Sequence, residues 1–172
     1  MNTKRNLTRF VCALSFLMPA LPALAQGERG NAMLKAGSGN ITVDYGRPSL
    51  QGPAVQGRDP LTVLEVGSFW RMGKDSATTL NTPVDLTFGS TKIAKGNYTL
   101  RLFKASADGY ELALTPAGGD NSKDAIKVAM KKATAPKPLD TFTIELKETP
   151  GGGTFALIWG TAQLSAEFLV AK

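Results

Sequence analysis

The side chains best equipped for chemistry cluster in one stretch of the chain. Arg47 closes the segment Asp44-Tyr45-Gly46-Arg47-Pro48, and Trp70-Arg71 is followed at short range by Lys74 and Asp75. Two guanidiniums beside an indole could form a binding rim. Arginine grips a carboxylate or phosphate through parallel N–H groups, and tryptophan offers its face to a sugar or a cation. Arg47, Trp70, Arg71, Lys74 and Asp75 are therefore the candidate ligand-binding set, suited to a small or acidic ligand. The same residues admit a structural reading, in which Arg47 and Arg71 pair with Asp44, Asp59 or Asp75 to pin irregular loops while Trp70 packs in the core. That second reading carries more weight, because the planar fork of arginine can satisfy several loop carbonyls at once.

Catalysis has few resources here. The sequence contains no histidine and a single cysteine, Cys12. Histidine-dependent hydrolase triads and imidazole-bound metals are excluded outright. Acid–base work would fall to carboxylates or lysine, and Asp44, Asp59, Glu65 and Asp75 lie in or beside the same irregular region. A glycosidase-like pair among them is conceivable, although the alternation of its strand turns Asp44 outward. Asp120, Asn121 and Asp124 form a cluster of oxygen ligands whose spacing fits no calcium loop, so a solvated turn is the better reading. Ser76, Thr78 and Thr79 have no base partner and read as strand hydroxyls. No catalytic residue, metal site or cofactor is expected, and an enzymatic role is the less favoured reading.

The compartment is read from the N-terminus. Lys4, Arg5 and Arg9 precede a short apolar run from Phe10 to Leu17, and Ala23-Leu24-Ala25 gives the small–x–small pattern of a cleavage site. Residues 1–25 are expected to be a secretory signal peptide, too short in its apolar part for a stable membrane-spanning helix. Its loss takes Cys12 and three of the 20 basic residues, leaving 17 against 14 acidic ones. That small excess does not favour nucleic acid. An exported protein, periplasmic or extracellular, without a thiol must be held together by burial alone.

The elements that would position these residues are strands. Ile41, Val43 and Tyr45 alternate with polar neighbours, as do Val84, Leu86 and Phe88, then Tyr98, Leu100 and Leu102 with Thr99, Arg101 and Lys104 taken as outward. Asp108-Gly109 tolerates the positive φ angles of a type I′ hairpin turn. Tyr110, Leu112 and Leu114 continue the pattern, followed by Ile126, Val128 and Met130, then Phe142, Ile144 and Leu146. Phe155, Leu157 and Trp159 share a face, and Leu164 to Val170 closes the series. Ala133 to Pro138 reads as a loop, Asp59 to Val66 as at most one helical turn after Pro60, and residues 26–38 as a loose lead-in. About eight to ten short strands with brief connections predict a single all-β domain over residues 39–172, an antiparallel β-sandwich of which a jelly roll is one form.

A strand ending in Tyr-x-Arg-Pro, a glycine-bearing loop, Trp-Arg-x-Gly with Ala-Thr after it, and Gly-x-Tyr-x-Leu at Gly96–Leu100 together resemble the family called domain of unknown function 2911. The closing segment around Trp159 is similar to that family's last strand pair, and the resemblance spans about residues 33 to 170. It implies an exported all-β protein and supplies no activity or substrate. Three expectations for function follow. The favoured one is a non-catalytic binding module for a small molecule, glycan or peptide. The others are an envelope-assembly protein that pairs through a strand edge, and a carboxylate-dependent glycan hydrolase.

Overall fold

In a computed structural model the described residues are 28–52, 55–121 and 123–171, so the segment read as a signal peptide lies outside them. Every regular element among them is a strand. In chain order these are β1 (Arg29–Ala36), β2 (Gly39–Gly46), β3 (Phe69–Trp70), β4 (Thr78–Thr82), β5 (Leu86–Phe88), β6 (Thr91–Ile93), β7 (Gly96–Lys104), β8 (Tyr110–Pro116), β9 (Ile126–Thr149) and β10 (Gly152–Val170). All pairings are antiparallel, in the order β1-β2-β4-β7-β8-β9-β10-β5-β6, with β3 added beside β7.

The sheet folds back on itself into two layers. The start of β9, Ile126–Met130, pairs with β8, while its remainder pairs with β10, so this one strand belongs to both layers. Side chains at alternate positions then meet across the interior. Ile41 and Val43 of β2, Leu100 and Leu102 of β7, and Leu112 and Leu114 of β8 are fully or almost fully buried. So are Leu86, Ile93, Phe142, Leu157 and Leu164 from the other layer. The layers touch directly where Tyr45 stands edge-on to Phe142 at 5.7 Å and donates its hydroxyl to the Ile144 carbonyl at 3.2 Å. This is the antiparallel sandwich that period-two burial requires.

Four local expectations are corrected. The lead-in assigned to 26–38 contains β1, which pairs along its full length with β2, from Arg29 opposite Gly46 to Ala36 opposite Gly39. Its inward residues are Ala32, Leu34 and Ala36, and the two alanines are too small to give the hydrophobic alternation that marks a strand. Ala133–Pro138 is no loop but the middle of β9. There Thr134 lies opposite Ala162 and Leu139 opposite Gly160, an irregularity that accommodates Pro136 and Pro138, which lack an N–H to give. The Asp108-Gly109 connection is not a two-residue turn: Lys104 pairs with Tyr110, and Ser106 Oγ accepts the Gly109 N–H within the longer loop. Lys104 itself points inward, in phase with Leu100 and Leu102, and is only 8% exposed.

Candidate functional site

The Trp-Arg-x-Gly segment is a strand interrupted. Trp70 lies opposite Leu102 of β7 and Thr78 lies opposite Leu100, so the whole excursion 71–77 stands against the single residue Arg101. Several contacts hold it. Arg71 donates to the Asp75 carbonyl at 3.1 Å, Thr78 Oγ1 donates to the Met72 carbonyl at 2.5 Å, and Arg29 reaches the Ala77 carbonyl at 3.3 Å. Met72 is fully buried despite a φ of 56°, and Asp75 has a φ of 62°. Such left-handed backbone is costly for residues with a side chain and persists only where the surroundings dictate it. Gly46 and Gly73 make the close approach possible. A Cβ on Gly46 would sit 2.1 Å from the Lys74 carbonyl oxygen, and one on Gly73 would sit 2.8 Å from the Gly46 oxygen.

The predicted set is therefore only partly brought together. Arg71, Lys74 and Asp75 share the excursion, and its backbone lies against Gly46, next to Arg47. Arg47 is committed to Glu28, by a side-chain contact of 2.5 Å and a main-chain hydrogen bond of 3.3 Å. Asp44 is taken by Arg29, which belongs to β1 and not to the loose lead-in expected over residues 26–38. The arginines thus act as pins, though with partners other than the expected carboxylates. Trp70 turns away from them into the interior. Its indole stacks on Trp159 at 5.4 Å with planes 15° apart and meets the Phe142 ring at 5.0 Å.

Beside that stack lies a cavity of about 190 Å³. Phe69, Trp70, Leu102 and Trp159 line one side, and Val55, Pro60, Leu61, Val63 and Leu64 of the irregular covering loop line the other. Among the described residues the lining side chains are those of apolar and aromatic residues, polar atoms contribute a minor part of the surface, and neither Arg47 nor Arg71 reaches it. Trp159 anchors the floor by donating Nε1 to the Asp140 carbonyl at 3.0 Å. The covering loop is fastened at the Leu61 carbonyl, which accepts both Lys104 Nζ and Tyr110 Oη at 3.2 Å. Gly67 and Ser68 extend the attachment through main-chain bonds to Lys104. Within the loop, Val63 is 41% and Val66 is 60% exposed. Sequence reasoning missed Lys104, although its parity with Leu102 was a usable signal.

The carboxylates form no catalytic pair at this cavity. Asp59 Oδ1 accepts the Leu61 N–H at 2.9 Å and so closes the turn after Pro60. A neighbouring depression that shares Pro60 carries Asp59 and Arg58, and Arg58 Nε is spent on the Val55 carbonyl. Asp124 accepts the Asp120 N–H in a surface turn. Among the described residues no group of three or more His, Cys, Asp or Glu side chains is placed to hold a metal ion. Burial, with a smaller contribution from Asp85, raises the Tyr98 phenol above its usual range; its hydroxyl donates to Ala94 at the turn before β7.

Comparison with curated proteins and with solved structures gives no match. The family described as Protein of unknown function (DUF2911) matches residues 28–168, from the residue before β1 almost to the end of β10. The match takes in the pinned excursion, the covering loop and the stacked tryptophans, and the chain belongs to the DUF2911 family.

Proposed function

We propose that this protein is an exported, non-catalytic binding module that holds a small, uncharged, flat apolar ligand in the cavity beside Trp70 and Trp159. The observation that carries the reading is the cavity of about 190 Å³ between a tryptophan stack and an irregular loop, with no polar side chain in its described lining. An apolar cavity of roughly 150 Å³ is already large enough to stay dry and take benzene. The size argues for a ligand below drug scale, since sites for larger molecules run to about 300 Å³ or more. This reading moves the ligand away from the guanidiniums, which are engaged by Glu28 and by the Asp75 carbonyl.

Benzene and indole are suitable probes in a thermal-shift measurement on the chain from residue 26 onward. Saturating ligand is expected to raise Tm by roughly 3–5 °C. Leu64→Trp, which fills the space, should abolish the shift while leaving the unliganded protein folded. A flat response to both probes, or an unchanged shift in Leu64→Trp, would overturn the assignment. The reading left standing would be the envelope-assembly role, for which the eight-residue edge strand β1, with its exposed Met33, offers a side that is unpaired among the described residues.

A further inference from the structure

We propose that the solvent face of the first layer is a second binding surface, and that its ligand is an acidic polysaccharide. Arg101 on β7, Ala113 on β8 and Lys127 on β9 lie in register across three adjacent strands. The two cations therefore stand two strands apart, on either side of Ala113, which is itself only 1% exposed. Both are seated on aromatic rings. The Arg101 guanidinium lies 4.2 Å from the centre of Phe69, and the Lys127 ammonium lies 3.4 Å from the centre of Phe103. The two rings are themselves in contact at 4.7 Å.

This seating matters because long basic side chains ordinarily lose conformational freedom when they grip a ligand. Here that ordering precedes binding, so less affinity is lost to it. A cation resting on a ring also keeps its N–H groups for other acceptors. Among the described residues Arg101 has no carboxylate partner, whereas Lys127 forms an ion pair with Glu111 at 3.8 Å, so the three side chains sum to one positive charge. The surface therefore carries net positive charge.

From Arg101 the strip continues over neutral polar side chains. Thr99 lies opposite Thr79, and Asn81 opposite Asn97, whose amides are joined at 2.7 Å. Hydroxyls and amides in a row answer the hydroxyls of a sugar chain, and the two cations answer its carboxylates. Nucleic acid fits less well. The faces of Phe69 and Phe103 are covered by the protein's own cations and cannot stack bases, and two positive charges neutralise few phosphates.

The test is affinity electrophoresis of the folded chain through gels containing polygalacturonate, with dextran and single-stranded DNA as comparisons. Polygalacturonate is expected to retard the protein, less so as salt rises, and dextran is not. Arg101→Gln combined with Lys127→Gln should weaken binding by roughly tenfold or more at an unchanged melting temperature. Phe103→Leu keeps both charges but removes a seat, and should weaken binding about threefold. No retardation, wild-type affinity in the double variant, or equal retardation by DNA would each overturn the proposal. Phe69 borders both places, so the variants are confined to Arg101, Lys127 and Phe103, none of which lines the cavity.

Discussion

Two irregular segments flank Trp70, and they are built on opposite principles. The excursion 71–77 is closed upon itself: an arginine, a threonine and two glycines tie its backbone down, and Met72 is driven into the core. The covering loop from Val55 to Val66 is fastened chiefly at one carbonyl, that of Leu61, and spans a void instead of filling one. The more conspicuous motif is thus the more tightly held one. The segment with the plainer sequence is the one that leaves room for a ligand.

The contrast can be broken by substitution. The largest effect is expected from Gly46→Ala, whose new methyl would meet the Lys74 main chain, where no flexible side chain can yield. A loss of about 3 kcal/mol in urea denaturation would follow, and a loss well under 1 kcal/mol would mean the excursion is pliable. Arg71→Ala removes one exposed hydrogen bond and should cost about 1 kcal/mol. It should also leave the benzene-induced Tm shift intact, and losing that shift would return Arg71 to the ligand site. The smallest effect on global stability, within about 1 kcal/mol, is expected from Lys104→Met, which keeps the stem but drops the donor to Leu61. Its signature is local. Amides of residues 61–66 should exchange faster with deuterium while those of 71–77 do not change, and equal behaviour of the two segments would erase the distinction.

Strands with large alternating side chains were legible in the sequence, and so was the irregularity around Trp70. Tyr98, Leu100 and Leu102 announce β7 because each large apolar residue must face the same interior. β1 was not legible, since Ala32 and Ala36 carry little apolar surface to set against Asn31 and Lys35. Nor was the continuity of β9, because Pro136 and Pro138 signal a break wherever tertiary context does not supply a bulge. The cavity is a third kind of case. It arises from what Trp159, Leu61 and Leu64 fail to fill together, a property of no single residue and of no local pattern.

β9 sets the unit in which this molecule can come apart. Because Ile126–Met130 zips to β8 while the rest of the strand zips to β10, neither layer has a complete set of neighbours without it. Fraying that spreads past the Met130–Lys131 junction from either direction strips hydrogen-bond partners from the other layer. The domain should therefore melt in a single cooperative step, and a nick near residue 130, where the strand changes partner, would uncouple both layers at once, with no half left folded.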